Sequence, residues 1–173
     1  MQVWNNILAR LLSLQTGGFT YVHKVTGSQI GVTSATYTTA YTLGTGNPLA
    51  LKLLRSQTGT GILQSACIQD LSKQDGAIDL VFFDSNPSAT TFTNNVALDI
   101  NDADLPKIIG SVRIASTDYS DYADNSVATK SGIGLVLKSY TDTYDTVWMA
   151  VVSRDAKTYV ANELSISLGI LQD

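Results

Sequence analysis

Any Ser-His-Asp or Cys-His arrangement in this 173-residue chain has to use His23, its only histidine, and any thiol chemistry has to use Cys67, its only cysteine. A nucleophile needs a neighbouring base to be activated, so these two positions bound the covalent chemistry available. His23 falls within an alternation of Phe19, Tyr21, His23 and Val25 against Thr20, Val22, Lys24 and Thr26, the period-two pattern of a strand, and is read as structural or interfacial. Cys67 lies between Ala66 and Ile68 in a second predicted strand, where a small buried thiol is common and no activating motif surrounds it. One cysteine makes no intramolecular disulfide.

Metal chemistry is equally constrained. Zinc sites need several Cys or His ligands, and the chain holds two such residues. The acidic groups Asp99, Asp102, Asp104 and Asp118, Asp121, Asp124 do not follow the spacing that wraps oxygen ligands around calcium, and are assigned to caps and solvated turns. Fifteen acids could supply a glycosidase pair by chance, but spacing alone does not support one. The glycines form neither a phosphate-binding nor a dinucleotide-binding fingerprint. The expectation is a protein that is not an enzyme, with no cofactor and no metal.

Adhesive chemistry is better represented. Tyr37, Tyr41, Tyr119, Tyr122, Tyr140 and Tyr144 occur in predicted connections or in a Thr/Gly-rich segment, and tyrosine combines large contact area with a polar tip. These six are candidate partner contacts, with half-buried loop tyrosines as the ordinary alternative. Tyr and Trp148 could also form a sugar-binding platform.

The elements that must position these residues are short. Val3, Ile7, Leu8, Leu11 and Leu12 recur at spacings of three to five, which predicts a short N-terminal helix, and Trp4, Ile7 and Leu11 join the candidate contacts. A helix of about 12 residues is marginal alone in water, so it must dock. Residues 26 to 48 are rich in Thr, Gly, Ser and Ala and are read as an extended arm ending at Gly46-Asn47-Pro48. The expected organisation is therefore an N-terminal helix, strand and arm over 1–48 and a β domain over 49–173.

In that domain strands are expected at 49–55, 62–69, 78–83, 112–115, 127–130, 133–138, 147–153 and 164–171, with one helical turn opening at Asn101. Leu164, Ile166, Leu168 and Ile170 alternate with Ser165, Ser167 and Gly169, so one face meets the core, whereas 147–152 is apolar on both faces. With no long helix to cross between parallel strands, the fold class is all-β, an antiparallel sandwich of jelly-roll type.

Charged residues make up 15% of the chain, against about 25% in typical soluble proteins. Low charge suits any β-rich domain and also a subunit largely covered by neighbours. The net charge of −4 disfavours nucleic acid, and no apolar run is long enough to span a membrane. The first 14 residues lack the basic start of a secretory signal.

The stretch Phe83 to Asn95, followed by Asp102-Ala103-Asp104-Leu105 and Ile108-Ile109-Gly110, resembles a family of small structural proteins encoded in tailed-bacteriophage and prophage genomes. Asn125 to Lys130 and Leu168-Gly169-Ile170-Leu171 add to the likeness, which runs from about Ser34 to the end. Members of that group are similar to the jelly-roll cement, or decoration, proteins of phage capsids. The resemblance implies a virion protein on the outer capsid surface, assembled in the host cytoplasm, that binds the major capsid protein and self-associates as a dimer or trimer. It brings no catalytic residues. A carbohydrate- or receptor-binding sandwich on a virion is the alternative.

Overall fold

The structure is a computed structural model that describes residues 19–55, 59–140 and 145–172. Eleven strands account for most of it: β1 (Phe19–Val25), β2 (Ala35–Tyr37), β3 (Leu49–Lys52), β4 (Thr60–Asp70), β5 (Ile78–Phe83), β6 (Ile108–Ile114), β7 (Tyr119–Asp121), β8 (Ser126–Lys138), β9 (Thr146–Ser153), β10 (Lys157–Tyr159) and β11 (Leu164–Gln172). One helical turn, α1 (Gly27–Ile30), follows β1. A five-stranded sheet has the order β1-β11-β4-β8-β7 and a four-stranded sheet the order β3-β9-β5-β6, while β2 and β10 form a separate pair. The ladders between named strands are antiparallel.

The alternation that predicts these strands also sets which faces meet. Leu63, Ala66 and Ile68 of β4 and Leu164, Ile166, Leu168 and Ile170 of β11 turn inward, where they meet Leu80 and Phe82 of β5, Val147, Met149 and Val151 of β9, and Leu51 of β3. Both sheets contribute to one buried cluster, so the two layers form a sandwich. Fully burying such a side chain is worth about 1.5–3 kcal/mol, and Leu80, Phe82 and Met149 are each wholly buried.

One edge of the sandwich is closed by backbone approach. A Cβ at Gly110 of β6 would stand 2.9 Å from Leu135 Cδ1 of β8, so the absence of a side chain lets the two sheets meet there. The predicted strands 127–130 and 133–138 are one strand, β8. Its register on β4 shifts between Leu63 and Ser65, opposite Gly132 and Gly134, both at positive φ. The glycines read as a break in sequence because they bend the strand rather than end it.

Residues 26–48 are not an extended arm. Ile30, Val32, Tyr37 and Leu43 all lie in the main buried cluster. β1 pairs with β11 from Phe19↔Gln172 to Val25↔Ile166, and β2 pairs with β10. The segment is poor in large aliphatic residues because backbone does part of the anchoring: Thr42 N donates to Val96 O at 2.9 Å, Leu43 N to Val151 O at 2.9 Å and Ala40 N to Ser153 O at 2.8 Å. The expected boundary at Gly46-Asn47-Pro48 is itself tied to the core, since Asn47 Nδ2 donates to Leu43 O at 2.8 Å and Asn47 Oδ1 accepts from Val151 N at 2.7 Å. The division into an arm over 1–48 and a domain from 49 therefore does not hold across 26–48. The predicted N-terminal helix falls outside the described residues.

Candidate functional site

Two surfaces, on opposite sides of the sandwich, have chemistry beyond packing. The first lies on the outer face of the four-stranded sheet. Val81, Phe83, Ala150 and Val152 face outward there and are nonetheless buried, because Phe92, Leu98 and Ile100 from the long connection between β5 and β6 pack over them. This explains why 147–152 is apolar on both faces. Phe83 and Phe92 meet edge to face with centroids 6.3 Å apart.

Asp104, wholly buried, fastens the cover: its Oδ2 accepts from Ala89 N at 3.0 Å and from Thr90 Oγ1 at 2.7 Å, and Lys107 Nζ pairs with its Oδ1 at 2.7 Å. The helical turn expected at Asn101 is present, with Ala103 N donating to Asn101 Oδ1 at 3.0 Å and a 3-10 turn at Leu105–Lys107.

The cover stops short of one end, where a cavity of about 480 Å³ remains. Ala50 and Trp148, register partners on β3 and β9, form its sheet-side floor. Asp84, Ser85 and Asn86, just past β5, line one part, and Ser139 and Thr146 another. Asp84 holds the rim together through its backbone: its N donates to Lys107 O at 2.9 Å and its O accepts from Tyr140 N at 3.1 Å. Ser85 Oγ donates to Asp84 Oδ1 at 2.7 Å.

The second surface is the outer face of the five-stranded sheet. Val136, Ile62 and Leu171 are consecutive partners across β8, β4 and β11, and Val22 of β1 lies on the same face two residues from Thr20, the partner of Leu171. Their exposures are 57%, 37%, 39% and 55%. With strands about 4.8 Å apart, this apolar row runs about 15 Å across the sheet. β1 starts one residue pair away, at Phe19↔Gln172.

The candidate tyrosines scatter. Tyr37 is wholly buried; its hydroxyl donates to Asn94 Oδ1 at 2.7 Å and accepts from Thr33 N at 3.0 Å, and its ring meets Tyr159 edge on, so it is a core residue and not a partner contact. Tyr41 packs on the core from a partly buried position, its backbone bridged to Ala97. Tyr119 is half-buried and its hydroxyl is spent on Gly76 O at 3.0 Å. Burial pushes that phenol up, with Tyr159 and nearby acids adding to the effect. Tyr122 and Tyr140, 59% and 78% exposed, remain available. Trp4, Ile7, Leu11 and Tyr144 lie outside the described residues.

His23 is on β1, where Tyr21 Oη lies 3.3 Å from its Nδ1, and burial holds its pKa below the ordinary value. Cys67 is on the outer face of β4, with Gln69 Nε2 donating to its Sγ at 3.2 Å. Among the described residues no group of three or more His, Cys, Asp or Glu side chains could hold a metal ion. Of the acidic groups, Asp118 accepts from Ala115 N at 2.9 Å and pairs with Lys130 at 3.3 Å, and Asp121 pairs with Lys73 at 3.2 Å.

Sequence reasoning missed the ion network on β5. Asp79, 5% exposed, accepts from Arg113 through its Nε and Nη2, and from Arg154 Nε at 2.7 Å. Burial pushes its carboxyl up, but the hydrogen bonds and charges of the two arginines outweigh this and hold it below the usual carboxylate range. A lone acid inside the apolar run Ile78 to Phe83 was the available signal.

No family model matches the chain, and no curated protein matches it. Among solved structures it is similar to a chain of the crystal structure of the Israel acute paralysis virus pentamer, at 8% identity over 88% of this chain and 86% of that one, with a TM-score of 0.28. A superposition that loose carries no argument about what either chain does.

Proposed function

We propose that this chain is a non-enzymatic structural protein of a bacteriophage virion that binds the outer capsid surface and cements major capsid protein subunits, acting as a symmetric homo-oligomer. The observation that carries the reading is the apolar row of Val22, Ile62, Val136 and Leu171, exposed on the outer face of the five-stranded sheet with no cover among the described residues. Contiguous apolar patches on a soluble domain mark interaction surfaces. Low charge over the whole chain suits a subunit that is covered in its working state. The likeness of residues 83–95 to small phage structural proteins points to the capsid as the partner.

The winding supports reading the sandwich as a jelly roll. Taking β1, β3, β4, β5, β6, β8, β9 and β11 in chain order, first pairs with last, second with seventh, third with sixth and fourth with fifth. That is a long hairpin rolled up into two four-stranded sheets, to which β7 adds an edge.

The test is a double substitution on the row, Val22→Glu with Val136→Glu, on strands that are not neighbours, in particles grown without the wild-type copy. Both side chains are exposed, so the melting temperature should hold while occupancy on reconstructed capsids falls at least about tenfold, as expected when charge replaces an apolar contact centre. Full occupancy by the double variant, or shell density with no extra subunit in the parent particle, sinks the proposal.

A further inference from the structure

The cavity beside Trp148 has the make-up of a saccharide subsite, and we propose that it binds one unit of a neutral glycan, with a C–H face of the sugar on the indole and the ring hydroxyls on Asp84, Asn86 and Ser139. This goes beyond capsid attachment, which uses the opposite face of the sandwich.

The floor supplies the stacking surface. Trp148 stands between Ala50 of β3 and Phe83 of β5 in the sheet. It packs on the covered apolar cluster, which fixes the ring, while the methyl group of Ala50 leaves space beside it. A rigid aromatic surface with small neighbours suits a ligand that is apolar on one face and polar around its edge.

The walls supply the edge chemistry. Ser139, only 4% exposed, lines the cavity with a hydroxyl that can both donate and accept. Asn86, an exposed residue, lines the cavity and brings an amide that can both donate and accept. Thr146 Oγ1 lies 3.1 Å from Asp145 Oδ1, and Asp84 keeps carboxylate capacity beyond its bond from Ser85. Short hydroxyl, amide and carboxylate groups around one indole match hydroxyls that both donate and accept.

Charge selects against anions. None of the described lining residues is Lys or Arg. The nearby cations are committed elsewhere, Lys52 to Asp145 at 3.6 Å and Lys107 to Asp104 at 2.7 Å with a further bond to Asn86 O at 2.8 Å. A phosphate or an acidic sugar would meet the Asp84 carboxylate with no cationic side chain in the described lining to offset it. The volume of about 480 Å³ falls among small-ligand sites. The rim is pre-formed by the Asp84 backbone bonds to Lys107 and Tyr140.

The experiment uses the full chain carrying Trp4→Phe, which leaves Trp148 as the single indole of the two in the sequence. Its emission is titrated with the methyl glycosides of glucose, galactose, mannose and N-acetylglucosamine and with the matching disaccharides, with glucuronic acid and inorganic phosphate as anionic controls. Saturable change is expected with at least one neutral probe and none with the anions. Asn86→Ala and Ser139→Ala, each checked by thermal melt, should weaken that binding about three- to tenfold, the effect of one neutral hydrogen bond. Trp148→Ala carries no indole to report, so its binding is read by titration calorimetry, where no saturable heat is expected, and if that variant fails to fold the other two still decide. The proposal is overturned if no neutral saccharide saturates the signal, or if both polar variants bind as the parent does. It is also overturned if purified capsids protect residues 84–86 and 146–148 from hydrogen exchange while no sugar binds, which would make the cavity a protein contact.

Discussion

Replacing Tyr37 with phenylalanine removes one oxygen and leaves the ring, so its consequence can be worked out atom by atom. In the parent that oxygen donates to Asn94 Oδ1 at 2.7 Å, accepts from Thr33 N at 3.0 Å and lies 3.1 Å from Thr33 Oγ1. Asn94 closes the circuit by donating from Nδ2 to Thr33 Oγ1 at 2.9 Å and accepting from Gly44 N at 2.9 Å. Without the hydroxyl, Asn94 Oδ1 keeps Gly44, but Thr33 N is left facing an aromatic edge. One part-buried donor without a partner costs about 1–3 kcal/mol. At about 2 kcal/mol, a domain of this size should melt about 4–8 °C lower. Tyr37→Ala also opens a cavity where the ring meets Tyr159, and such truncations cost about 3–5 kcal/mol.

Circular dichroism melts and urea titrations of the two variants measure both steps, and an Asn94→Ala cycle isolates the shared term, since residues in one network do not add. Capsid attachment, corrected for folded fraction, should not change in Tyr37→Phe. A variant that melts with the parent but loses attachment would refute the placement of Tyr37 in the core and restore it as a partner contact.

Two further outcomes follow from the same packing. Asp79→Asn should destabilise the fold by about 1–3 kcal/mol at neutral pH, less than for a fully buried pair because Arg113 and Arg154 are 58% and 30% exposed and can rehydrate. The Asp79 pKa is depressed in the fold, so its contribution is present above the unfolded value near 3.8 and is lost as pH falls through the lower folded one. The gap between the urea midpoints of parent and variant should therefore narrow as pH falls below about 4, and a gap that widens on acidification would contradict the assignment. Deleting residues 1–48 removes Val25, Ile30, Val32, Tyr37 and Leu43 from the core, at about 1.5–3 kcal/mol each, which matches the whole stability of about 5–15 kcal/mol of a typical domain. Limited proteolysis should show an unfolded chain, and a protease-resistant remainder would mean that those residues are dispensable.

The strands of the main domain were legible because their period-two pattern is local. Ile78–Phe83 falls as expected, and the alternation of 164–171 is the inward face of β11. What was not legible depends on partners far along the chain. Residues 26–48 look weakly anchored because their anchors are backbone bonds to Val96, Val151 and Ser153, and no composition or periodicity carries that information. The same limit misplaced Tyr37, whose partners Asn94 and Tyr159 come from other parts of the chain. At the candidate sites, Trp148 could be named from sequence as a platform, but Asp84, Asn86 and Ser139 become neighbours only when β5, β8 and β9 are in place.

The closing of β1 on β11 has a consequence for biosynthesis. Among the described residues β1 has one ladder, and its partner β11 is the last described strand. A ribosome adding about 5–20 residues per second presents β1 well before β11, so β1 waits several seconds for the partner that covers its hydrogen-bonding edge. Closure of the five-stranded sheet therefore waits for β11, and a chain stalled before Leu164 is a species for chaperones rather than a smaller folded protein.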